Sequence, residues 1–235
     1  MDDKPPLTGH YSSGQFVTVR GKNECDELRL LGCFGQDLES AHRKNDDRRG
    51  PLDRLVLETL GKSMETTTSA LTLHEAFYLA YALGYLRIHT DTDQIIHLDT
   101  CWSSFRSYHK NSNIRLDFAI EYGVYHYFRT RGWIVKTGEN YGTNFLLYKV
   151  GPSADHAQYS VKIIHELKSD PPGKMSLDWR SLQAAYRVNQ SVCKELLLVY
   201  VLTDDTELEY FKRPDCITRM EIMVENFTCK TNLMI

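Results

Sequence analysis

An α/β (α+β) fold in two domains is predicted by three observations. A capped, amphipathic helix opens at Thr72 and keeps a period of 3.6. Two short apolar runs, Phe145–Tyr148 and Tyr159–Ile164, flank a turn-rich link at Gly151-Pro-Ser153. An almost continuous apolar run, Glu195–Leu202, reads as a central strand. Helical patterns dominate before about residue 113 and strand patterns after it. This predicts a small mixed N-terminal domain over 1–113 and a second domain over 114–235, a mixed sheet flanked by helices and carrying them on one side.

Taken in order, residues 1–14 are polar, contain Pro and Gly, and read as disordered. Gln15–Arg20 alternates like a strand, and 26–35 holds an apolar patch. Charge and Ser/Thr dominate 39–70, where the run from His42 to Arg49 reads as a solvated loop. Thr72 and Glu75 form a capping box, and Leu73, Ala76, Phe77, Ala80 and Leu83 make the apolar stripe that Gly84 ends. Leu86–Ile88 is a short strand and Trp102–Tyr108 a second helix. The segment 111–113 caps a third helix over 114–129, whose Phe118, Tyr122, Tyr125 and Phe128 share one face as core. Ser176 starts a further helix, with Asp178 favourably placed in its first turn and Leu182, Ala185 and Tyr186 buried. Glu207–Lys212 and Ile217–Val224 read as the last two strands.

Composition bounds the function. At 42% hydrophobic and 25% charged this is an ordinary globular chain, and no apolar run reaches the roughly 20 residues of a membrane helix. No apolar signal core follows Met1, so no secretion is expected. The six cysteines include no CxxC pair, which predicts reduced thiols and no zinc site. Scattered histidines give no metal-ligand spacing, and neither metal nor cofactor is expected. With a formal charge of -3, any nucleic-acid contact must come from a local basic surface.

Tyr148 ends a strand, His156 closes the loop after it, and Lys194 precedes the apolar strand. Polar groups at the ends of neighbouring elements can converge in one cleft. Together they suit metal-free RNA cleavage by the 2′-hydroxyl. One group takes the 2′-proton, one protonates the leaving 5′-oxygen, and a cation stabilises the phosphorane-like transition state. An imidazole, titrating near 6.5, suits the acid, and an ammonium, titrating near 10.4, suits the cation. A phenol, at about 10, is a poor base near neutrality and serves either as a base assisted by the lysine or as a positioning group.

The segments Tyr125–Lys136, Tyr141–Pro152, His156–Val161, Leu177–Leu182 and Arg187–Leu197 resemble the catalytic subunits of tRNA-splicing endonuclease. Leu71–Gly84 resembles that family's N-terminal domain. The resemblance spans roughly residues 71–220. It implies an endonuclease-like second domain and the catalytic residues Tyr148, His156 and Lys194, as base, acid and transition-state stabiliser. It implies 2′,3′-cyclic phosphate and 5′-hydroxyl ends. Tyr141 falls in a structural part of the motif. Arg187 matches one half of a clamp that stacks on a bulged base, for which the C-terminal tail offers only Phe227 or Lys230 as the other half. The implied partners are precursor tRNA, a second catalytic subunit and two structural subunits. The likeness leans toward the subunit that cuts the 5′ splice site, in a nuclear setting or else in the cytoplasm or on the outer surface of an organelle. The alternative is a non-catalytic scaffold subunit of the same complex, against which retention of all three residues argues.

Overall fold

Thr72 closes the capping box the sequence predicts. Its Oγ1 accepts from the Glu75 N–H at 3.2 Å, and the Glu75 carboxylate accepts from the Thr72 N–H at 3.0 Å. Glu75 is nevertheless buried, because its other oxygen accepts the Gly35 N–H at 3.2 Å. This cap sits in the first of two units, Met1–Arg115 and Leu116–Ile235, of a computed structural model that describes residues 6–12, 14–37, 67–112, 116–169, 178–204 and 210–228. The boundary expected at about 113 and the charged run 42–49 lie outside the described residues.

The first unit contains β1 (Leu7–Tyr11), β2 (Phe16–Arg20), α1 (Lys22–Gly32), β3 (Gln36–Asp37), β4 (Thr68–Thr72), α2 (Leu73–Phe77), β5 (Leu86–His89) and α3 (Leu98–Asn111). Its sheet has the order β3-β4-β2-β1-β5, with β1 and β5 parallel and the other pairs antiparallel. Two expectations are corrected here. Residues 7–11 form a strand instead of disorder, because both edges of β1 are paired and Leu7 and Tyr11 are buried. Strands are also as prominent before residue 113 as after it, since each unit carries a five-stranded sheet. Gly9 leaves room for that packing, as a Cβ there would lie 2.7 Å from Val17 Cγ1. The apolar patch at 26–35 belongs largely to α1.

α2 runs on as a π-helix over Tyr78–Ala82, ended by the Leu83 N–H donating to the Tyr78 carbonyl at 3.2 Å. The wider turn breaks the 3.6 period. Leu83, the last residue of the predicted stripe, is therefore 40% exposed, while Phe77 packs on Trp102 and Phe105 of α3.

The second unit contains α4 (Phe118–Thr130), β6 (Ile134–Thr137), β7 (Phe145–Tyr148), β8 (Tyr159–Leu167), α5 (Trp179–Ser191), β9 (Glu195–Thr203) and β10 (Glu221–Phe227). Its sheet has the order β10-β9-β8-β7-β6 and is antiparallel except for the β8/β9 pair, which α5 connects. Asp117, not the 111–113 segment, caps α4 by accepting the Ala119 N–H at 2.9 Å. Asp178 caps α5 from outside its first turn, accepting from the Arg180 and Ser181 N–H groups. The four aromatics of α4 are buried as predicted.

Residues of a strand alternate between faces. Phe145, Val161 and Leu197 lie in one register row, and Phe145 meets Tyr125 of α4 edge-on at 5.9 Å. Ile164, Leu196 and Leu198 point the other way and cluster with Leu182 of α5. Helices therefore cover both faces, correcting the one-sided arrangement expected. The last strand is also displaced. Pro214 starts a 3-10 helix through Arg219 that takes the residues expected to begin it, and of the strand expected over Glu207–Lys212 the described part, Tyr210–Lys212, forms a turn and bend while 207–209 lie outside the described residues.

Candidate active site at the ends of three strands

The site is built on one row of backbone hydrogen bonds. The Gln158 N–H donates to Leu147 O at 3.0 Å, and the Glu195 N–H donates to Gln158 O at 3.1 Å. Tyr148 follows the first residue of this row, His156 lies two before the second, and Lys194 immediately precedes the third. The three predicted residues thus stand at the same end of β7, β8 and β9, on adjacent strands spaced about 4.8 Å apart.

Each is held locally. Tyr148 pairs with Ile134 of β6 and is half-buried. Burial, and after it the field of Tyr141, pushes its phenol above the usual value. That weakens Tyr148 as a base at neutral pH. His156 is exposed on a tight loop. The Ala154 and Asp155 N–H groups donate to Gly151 O, and the His156 N–H donates to Asp155 Oδ1 at 2.7 Å. Gly151 turns the chain with φ of 140°, a region that favours glycine.

Lys194 is placed by the end of α5. Its N–H donates to Asn189 O at 2.9 Å, and the Cys193 N–H to Gln190 O at 3.1 Å. Cys193 sits in the left-handed region with φ of 55°. This is a Schellman turn with cysteine where glycine is usual. The Lys194 ammonium lies 5.1 Å from the centre of the Tyr141 ring. The resemblance places Tyr141 in a structural part of the family motif. The structure keeps that role and adds another, since its ring meets Lys194 and its field acts on Tyr148.

Asn189 is the residue sequence reasoning missed. It is fully buried, and its Nδ2 donates to Ala185 O at 2.7 Å and Tyr141 O at 3.2 Å. The available signal is its position. Leu182, Ala185, Tyr186 and Asn189 follow the i, i+3, i+4, i+7 stripe, so a polar residue occupies an apolar face.

Arg187 is exposed on α5. Of the two tail residues considered as its clamp partner, Phe227 packs edge-on against Tyr186 at 5.4 Å and Trp179 at 6.2 Å, so its ring is engaged in packing. Lys230 lies outside the described residues.

A sheet with helices on both faces thus carries a phenol, an imidazole and an ammonium at the same end of three adjacent strands. Residues 118–210 match the tRNA intron endonuclease family, catalytic C-terminal domain. Among its relatives is the tRNA-splicing endonuclease subunit Sen2 of Mus musculus, 39% identical over 155 residues, which are 65% of this chain and 32% of the relative. The Arabidopsis thaliana subunit Sen2-1 is 31% identical, over 64% of this chain and 60% of the relative. A probable Schizosaccharomyces pombe sen2 is 33% identical, over 56% of this chain and 38% of the relative. The chain thus spans about a third of the length of the mouse relative.

Proposed function

We propose that this chain is the RNA-cutting subunit of a tRNA-splicing endonuclease and cleaves precursor tRNA at an intron boundary, the 5′ splice site. The observation that carries this is the shared strand-end position of Tyr148, His156 and Lys194 on β7, β8 and β9. Relatives named as Sen2 subunits of tRNA-splicing endonuclease support it. In this reading the RNA 2′-hydroxyl attacks the adjacent phosphorus. Tyr148 positions or deprotonates that hydroxyl, and His156 protonates the leaving 5′-oxygen. Lys194 stabilises the charge gathered on the phosphoryl oxygens. The products are a 2′,3′-cyclic phosphate and a 5′-hydroxyl, formed without a metal ion. The raised phenol favours positioning over proton removal for Tyr148 at neutral pH.

The chain works with a second catalytic subunit and two structural subunits, in the nucleus, and Arg187 contacts the RNA beside the cleavage site. The test is cleavage of an intron-containing tRNA by the chain co-expressed with its partner subunits, with RNA ends read directly. Wild type yields cyclic phosphate ends in EDTA as well as without it. His156→Ala binds the RNA and does not cut. Loss of cleavage in EDTA, or full cleavage by His156→Ala, contradicts the proposal.

A further inference from the structure

We infer that Tyr141 is a positioning residue for Lys194, held in register with it by Asn189, and that it keeps the ammonium aimed while leaving its charge unquenched. This rests on the proposed role of Lys194.

The argument starts from the lysine. A lysine ammonium rides on a flexible four-carbon stem and loses rotamer freedom when fixed. A carboxylate would fix it but would neutralise the charge that a phosphoryl group needs. The face of an aromatic ring attracts the cation through its quadrupole and carries no net charge. The Tyr141 ring, 5.1 Å from Nζ, is such a partner.

For the ring to aim the ammonium, both main chains must be fixed, and one buried side chain and its backbone do this. Asn189 Nδ2 donates to the Tyr141 carbonyl at 3.2 Å, and the Asn189 carbonyl accepts the Lys194 N–H at 2.9 Å. The amide is oriented without ambiguity, since two carbonyl oxygens demand the donor end. The Tyr141 turn is tied down independently. Gly142 adopts φ of 68°, and its carbonyl accepts from Lys162 Nζ at 3.1 Å. The Tyr141 N–H donates to Gly138 O at 2.9 Å, and Thr143 Oγ1 donates to the same oxygen at 3.2 Å. A Cβ on Gly138 would lie 2.4 Å from Thr143 Oγ1 and 3.0 Å from the Phe145 backbone, so this packing requires glycine.

The experiment measures single-turnover precursor-tRNA cleavage by the co-expressed complex carrying Tyr141→Leu, Tyr141→Phe, Lys194→Ala, or Tyr141→Leu with Lys194→Ala. Thermal melting checks folding. Tyr141→Leu lowers the cleavage rate about tenfold and changes RNA affinity little. Tyr141→Phe, which keeps the ring, restores most of the rate. In the Lys194→Ala background Tyr141→Leu adds almost nothing, as expected for residues acting through one group. An unaffected rate in Tyr141→Leu overturns the inference, as does an equal loss in both lysine backgrounds or a Phe variant as damaged as the Leu one. If Lys194→Ala itself cuts normally, the proposed role of Lys194 falls as well. If Lys194→Ala is inactive and Tyr141→Leu cuts at the wild-type rate, only the inference falls.

Discussion

Tyr11 and Tyr148 each end a strand, and burial pushes both phenols above their ordinary value, Tyr11 to about 12. Their surroundings differ. Tyr11 meets Phe105 edge-on at 5.0 Å and feels Tyr108 and Cys101, and it is closed inside the core of the first unit. Tyr148 is half-buried and shares its surroundings with Tyr141, which also meets an ammonium. A desolvated phenol is therefore not the mark of a site. What sets Tyr148 apart is its place at one end of a strand row that also carries an exposed imidazole and an ammonium.

The largest expected effect breaks the comparison outright. Tyr148→Phe lowers precursor-tRNA cleavage by about 100-fold and barely moves the unfolding midpoint, whereas Tyr11→Phe leaves cleavage intact. Rate and melting measurements on both variants check this, and similar cleavage losses would erase the distinction.

A smaller effect is alkaline. Burial raises Cys101 from 9.0 and Tyr11 from 10.0, each to about 12. Raised folded-state values favour the protonated forms in the native protein. Their stabilising contribution is complete below about pH 9 and is lost as pH rises toward 12. Urea unfolding at pH 8 and pH 10.5 will show lower stability at the higher pH, and Cys101→Ala will reduce the difference.

The smallest effect lies beside the site. Cys193 holds a left-handed φ of 55° at the helix end that places Lys194. Cys193→Gly relieves that conformation and stabilises the protein by about 1 kcal/mol, seen as a higher urea midpoint.

How much of this was legible follows from which interactions are local. The capping box at Thr72, the α4 aromatics and the strands β7 and β9 rest on nearby residues, and the sequence displays them. β1 was hidden because Leu7-Thr-Gly-His-Tyr11 has little pattern of its own, and its strand state comes from the distant β5 on one edge and β2 on the other. The one-sided helix placement failed for a similar reason. Only the register row of Phe145, Val161 and Leu197 shows that α4 and α5 face opposite sides of the sheet. At the site, Tyr148, His156 and Lys194 are legible chiefly through the family resemblance, since a strand-end Tyr, a loop His and a Lys before an apolar strand are each common on their own. The Asn189 carbonyl bond to Lys194 is a local helix-end turn, but its amide bond to Tyr141 bridges 48 positions, and no local pattern encodes that link.

The central claim is that three strand ends form one reacting centre. The direct measurement compares cleavage rates of Tyr148→Phe, His156→Ala, Lys194→Ala and the triple variant in the assembled complex. Residues acting as a unit give a triple loss close to the largest single loss. Independent losses that multiply, or a single variant that cuts like wild type, would contradict the account.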